Sequence, residues 1–123
     1  MIEEQDLPYD IVIDERPWGK FTQFAHNQNT TVKIIEVGPQ EQLSTQRHRF
    51  RDELWVALDE GLVTKIDNKE SFLRRGQVVF IPRKTIHTIR NNRKLEKARF
   101  LEVAFGYFDE GDIERLEDRY GRE

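Results

Sequence analysis

The sequence predicts an all-β fold, a jelly-roll β-barrel with one short C-terminal helix. Three observations lead there. Short apolar or alternating segments follow one another from residue 20 to residue 105, and turn-forming Gly, Asp, Asn and Pro residues separate them. The hydrophobic period changes to a helical one only beyond Asp109. A chain of 123 residues suits one domain with a modest core. Many short antiparallel strands expose edges, which closure into a barrel or double-sheet jelly roll removes.

In chain order, residues 1–15 read as an N-terminal arm or edge strand, its apolar run being Ile11-Val12-Ile13, and residues 16–123 as a single domain. Strand signals fall at residues 20–24, 31–37, 43–50, 54–58, 62–66, 71–73, 78–81, 86–90 and 98–105. Gly38-Pro39 breaks the second of these. Asp59-Glu60-Gly61 and Asp67-Asn68-Lys69 are the expected hairpin turns, because these residue types tolerate left-handed backbone. Asp109 can cap a helix whose stripe is Ile113, Leu116 and Tyr120, and Gly121 would end it.

Composition excludes several classes. Twenty-three acids against 20 bases give a net charge of −3, so no broad cationic field exists for nucleic acid. No cysteine is present, which removes disulfides and zinc–thiolate sites. The start, Met1-Ile2-Glu3-Glu4-Gln5-Asp6, is acidic where a signal peptide is basic. No apolar run nears the roughly 20 residues needed to cross a bilayer. A soluble, cytoplasmic protein without a membrane partner is expected.

The chemistry is concentrated in two stretches, Gln46-Arg47-His48-Arg49-Phe50-Arg51-Asp52-Glu53 and Pro82-Arg83-Lys84-Thr85-Ile86-His87, which hold two of the three histidines. In a strand, residues two apart share a face. Gln46, His48 and Phe50 then point one way and Arg47, Arg49 and Arg51 the other. Three arginines cannot face an apolar core cheaply, so the histidine face is expected inside. Thr85, His87 and Ile89 share a second inward face. His48, His87 and Glu53 converging would form a ligand set suited to Zn, Mn, Fe, Co or Ni, with Gln46 adding a neutral oxygen. The alternative is a pair of hydrogen-bonded interior histidines, with Glu53 paired to an arginine.

These residues resemble a known family. Gly76-x5-Pro82-x4-His87-x3-Asn91 resembles the second cupin motif, with Lys84 where a glycine is usual, and Gln46-x-His48 through Glu53 resembles the first. Arg16-Pro17-Trp18-Gly19, Leu43-Ser44-Thr45-Gln46-Arg47-His48, Arg51-Asp52-Glu53-Leu54-Trp55 and the ending from Asp112 to Arg122 are similar to the cupin-type (type II) mannose-6-phosphate isomerases. That domain also forms the C-terminal part of isomerase/mannose-1-phosphate guanylyltransferases. The resemblance implies a cupin jelly roll, a divalent metal held by Gln46, His48, Glu53 and His87, and interconversion of mannose 6-phosphate and fructose 6-phosphate. Three positions depart from the family: Phe50 and Leu54 stand where histidines are usual, and Ala104 where a glutamine is common. Phe50 removes a ligand and could leave the metal unbound.

Such an isomerisation moves a proton between C1 and C2 through an enediol. Glu53 and His87 are the expected proton carriers, a metal or a positive side chain the electrophile, and Arg51, Arg83 and Lys84 the phosphate anchors. Arg16 and Arg122 are expected to fix the chain ends or bind phosphate. Trp18 and Trp55 are expected to be core or interface anchors, and Tyr120 to pack the terminal helix against the barrel. The Ile11–Ile13 arm suggests a homodimer. Two other readings compete: a non-catalytic sugar-phosphate-binding or regulatory cupin, and a two-histidine, one-carboxylate iron oxygenase.

Overall fold

The computed structural model describes residues 12–118, and their backbone is built from eleven strands. β1 (Val12–Arg16) and β2 (Gly19–Gln23) form a hairpin around Pro17-Trp18. β3 (Thr30–Val37), β5 (Asp52–Ala57), β8 (Val78–Ile81) and β10 (Ala98–Phe105) form a four-stranded sheet in the order β3-β10-β5-β8. β4 (Thr45–Arg47), β6 (Leu62–Ile66), β7 (Lys69–Phe72), β9 (His87–Asn91) and β11 (Glu114–Glu117) form a second sheet in the order β11-β4-β9-β6-β7. From β3 onward, successive strands alternate between the sheets except at the β6–β7 hairpin, which turns on Asp67 and Asn68 at φ 51° and 68°. Left-handed backbone at both turn residues matches the twist of the flanking strands.

The core lies between the sheets. Trp55, Ala57, Ile81 and Phe100 from the first meet Leu62 and Ile89 from the second. A second apolar cluster, Leu54, Val56, Val103 and Phe105, covers the opposite face of the four-stranded sheet under Phe24 and Ala25. That double coverage explains why β5 is buried without interruption from Glu53 to Ala57. Asn91 closes one end: its amide nitrogen donates to the carbonyls of Val37, Gly38 and Glu96, and its oxygen accepts from Arg93 N.

Four expectations need correction. The described residues contain no helix: Ile113 and Leu116 flank and enter β11, which pairs with β4 and is anchored by the Arg47–Glu114 ion pair at 2.7 Å. The spacing of Ile113 and Leu116 suits a helix, but pairing with the open edge of β4 overrides it, with a register shift between Arg115 and Glu117. Tyr120, Gly121 and Arg122, like Ile11, lie outside the described residues. The strands form separate sheets, not one closed barrel. The strand expected at 43–50 is regular only over Thr45–Arg47, so its alternation stops before His48. Phe50 consequently points outward, 62% exposed, and Arg51 turns inward instead. Trp55 is core as expected, whereas Trp18 is 74% exposed on the hairpin turn.

Phe100→Ala should cost about 3–5 kcal/mol in urea unfolding, and Phe50→Ala less than about 0.5 kcal/mol. Equal losses would place Phe50 in a packed interior and contradict this arrangement.

Candidate metal centre

At one end of the inter-sheet space the apolar core gives way to a polar cluster. Glu53 comes from β5, His87 from the first position of β9, and His48 from the loop that leaves β4. Their residues are 2%, 2% and 3% exposed. His48 Nε2 lies 3.2 Å from Glu53 Oε2, and His87 Nε2 lies 3.9 Å from Glu53 Oε1. One ligand atom from each residue falls within 4.8 Å of the others. Tetrahedral ligands at about 2.0–2.1 Å from a metal stand roughly 3.3 Å apart. Movements of a few tenths of an ångström to about 1 Å would therefore complete a three-ligand site.

The tautomers favour that use. His48 Nδ1 is 2.6 Å from the Asp112 carbonyl, and His87 Nδ1 is 2.8 Å from the Thr85 carbonyl. A carbonyl only accepts, so each Nδ1 carries a hydrogen, and Nε2 is the atom each ring turns toward Glu53. Burial, more than its neighbours, holds His87 below its ordinary titration range, which keeps its Nε2 lone pair free at neutral pH. The donor set of two imidazoles and a carboxylate fits a divalent transition metal.

The His48 loop is fixed from two sides. Asp112 accepts the backbone N–H groups of Arg49 and Phe50 at 2.8 and 2.9 Å, and Lys84 N donates to the His48 carbonyl at 2.6 Å. Burial pushes the Asp112 carboxyl upward, but those two amides hold it below the usual range. Lys84 sits at φ 69°, the left-handed conformation that accounts for glycine being usual at this position.

Two further charged groups complete the cluster. Arg51 is 7% exposed, and its Nε donates to Glu53 Oε2 at 2.9 Å. Trp55 Nε1 donates to Glu53 Oε1 at 3.2 Å. Burial works to raise Glu53, but the charges of His48 and His87 when protonated, then the hydrogen bond and charge of Arg51, hold it below its usual range. Glu102, opposite Trp55 on β10, is pushed up to about 7, first by burial and then by the Glu53 charge. It was absent from the sequence-derived site. Its signal was parity: Ala98, Phe100, Glu102 and Ala104 share one otherwise apolar face of the strand.

The remaining expected residues lie around this cluster. Gln46 pairs with His87 in the ladder, and its amide nitrogen donates to Ser44. Arg83 pairs with Asp52 at 3.4 Å. An open cleft of about 1110 Å³ reaches the cluster through His48, and its wall includes Arg47, Arg49, Arg83, Lys84 and Arg115. Of these, Arg49 and Lys84 form no ion pair with a described residue, and Arg115 Nε is buried without a hydrogen-bond partner.

Known proteins place this arrangement. The family model described as mannose-6-phosphate isomerase C-terminal matches residues 9–118. The chain belongs to that family. Relatives include the mannose-1-phosphate guanylyltransferase ManC of Salmonella typhimurium, 36% identical over 87% of this chain. The alginate biosynthesis protein AlgA of Pseudomonas aeruginosa is 37% identical over the same share. The chain spans 22% of the length of each. Among solved structures, the capsular polysaccharide assembling protein CapF of Staphylococcus aureus shares the fold at a TM-score of 0.65 and 20% identity, covering 95% of this chain and 35% of that one. A double-stranded β-helix protein from Klebsiella pneumoniae matches at a TM-score of 0.63 and 14% identity, over 75% of this chain and 78% of that one. The fold is thus of the cupin, double-stranded β-helix kind. Among the described residues no helix is long and apolar enough to cross a membrane.

Glu102 supplies a pH prediction for metal-free protein. Its proton is kept in the folded chain above the ordinary carboxylate value of 4.5, up to about 7. The stability it contributes is fully present below pH 4.5 and is lost as pH rises toward 7, at most about 3 kcal/mol. Glu102→Gln should flatten that decline in urea unfolding at stepped pH. An identical slope in the variant would show that Glu102 ionises normally.

Proposed function

We propose that this chain is a metal-dependent sugar-phosphate isomerase domain that interconverts mannose 6-phosphate and fructose 6-phosphate. The observation that carries this reading is the meeting of His48, Glu53 and His87 at one buried point, in a chain of the mannose-6-phosphate isomerase C-terminal family. His48, Glu53 and His87 would hold the metal, and Gln46, turned toward Ser44, could join them by rotating its amide. A bound divalent ion supplies Lewis-acid stabilisation of the oxyanion that develops at the sugar carbonyl.

The chain's own residues supply the rest. Glu102, pushed up to about 7 beside the ionised Glu53, can hold a proton near neutrality, which suits a relay between C1 and C2. His87, neutral and held by the Thr85 carbonyl, presents its Nε2 lone pair from the opposite sheet, 3.9 Å from Glu53. The burial of all three keeps bulk water from the exchanging proton. For the phosphate, Lys84 on the cleft wall is one anchor. Arg83 shares its charge with Asp52, whereas Arg49 and Arg115 offer guanidinium groups to the cleft.

The non-catalytic alternative draws on one observation, the outward Phe50, which supplies no fourth side-chain ligand. We also infer a homodimer, supported by the exposed apolar Val32 and Ile34 on edge strand β3.

A coupled assay on mannose 6-phosphate with Mn, Zn, Co or Fe should show turnover that a chelator abolishes. Folded, metal-loaded protein without turnover would favour the binding-only reading. In an active enzyme, Arg49→Ala with Arg115→Met should raise KM about tenfold or more with little change in kcat. An unchanged KM would remove the phosphate from this cleft.

A further inference from the structure

We propose that Arg51 is a resident cation of the His48–Glu53–His87 cluster, so that a divalent metal binds by displacing its guanidinium from His48 and Glu53. This rests on the metal reading of the same cluster and adds what that reading omits, a competitor carried by the chain itself.

The geometry is direct. Because β4 ends at Arg47, the residues that follow abandon strand alternation and Arg51 swings inside. Its Nε–H donates to Glu53 Oε2 at 2.9 Å, and its Nη2 lies 3.4 Å from His48 Nε2. The Asp112 carbonyl holds a hydrogen of His48 on Nδ1, so the ring that binds a metal offers the one lone pair of Nε2, and Arg51 is the donor facing that atom. A carboxylate oxygen can serve two partners, but an imidazole lone pair cannot. Metal and guanidinium therefore exclude each other at His48, and their like charges oppose each other at Glu53. Arginine does not escape the conflict by deprotonating.

A displaced Arg51 need not leave its neighbourhood. Its Nη1 donates to the Asp109 carbonyl at 3.2 Å, and its Cζ lies 4.3 Å from the Phe108 ring centroid. Those two contacts lie away from the ligand atoms and can retain the side chain while it turns. In the absence of metal the same guanidinium offsets the charge of buried Glu53.

The test is Mn(II) and Zn(II) affinity by chelator competition for the whole chain, Arg51→Met and Arg51→Lys, with no activity measured. Arg51→Met should bind about tenfold or more tightly, and Arg51→Lys should stay closer to the parent protein. Equal or weaker binding by Arg51→Met would overturn the proposal and make Arg51 a support for Glu53. If neither chain binds metal, this proposal and the metal reading fall together; tighter binding without turnover leaves this one standing. Should Arg51→Met not fold, nitrogen-15 spectra of the parent protein decide. Added Zn(II) should shift the Arg51 Nε–H signal and speed its exchange, and a signal unmoved at metal saturation would refute the displacement.

Discussion

A carboxylate placed between two sheets has to be compensated, and the site is organised around that requirement. Glu53 is buried on a strand covered on both faces, where an unpaired charge would cost several kcal/mol. Everything polar nearby answers to it. Arg51 and Trp55 donate to its two oxygens, and Glu102 keeps a proton because Glu53 does not, while the Nε2 atoms of two imidazoles face it across a gap that suits a cation. The cluster is balanced without a metal and suited to one.

The architecture explains how residues distant in sequence meet. Consecutive strands alternate between sheets, so β5 brings Glu53 from one side while β9 and the β4 loop bring the histidines from the other. Asp112, just before β11, binds that loop with its carboxylate and its carbonyl, setting both the loop's path and the His48 tautomer. The segment expected to be a helix is thus tied to the chemistry through a strand edge.

Most of the fold was legible because strands covered on a defined face carry a period that sequence displays. β6, β8 and β10 lie where alternation and turn residues put them. Legibility failed where tertiary contacts overrode the period. Beyond Arg47 the strand rule placed Phe50 inside and Arg51 outside, and the loop reverses both. Parity in the site held on regular strands: Glu53, Glu102 and Ala104 share the inner face of their sheet. The family departures sort on the same basis. Leu54 is buried in the apolar cluster on the other face, and Phe50 is at the surface, so neither side chain enters the cluster. Ala104, directly opposite Glu53, is the departure that removes a polar group from its wall.

Anomalous diffraction from crystals soaked in Mn(II) or Zn(II) tests the central claim most directly. The account predicts one peak about 2.0–2.2 Å from His48 Nε2, His87 Nε2 and a Glu53 oxygen, with Arg51 turned toward Asp109 and Phe108. Metal-saturated crystals with no peak there, and Arg51 still seated on Glu53, would contradict it.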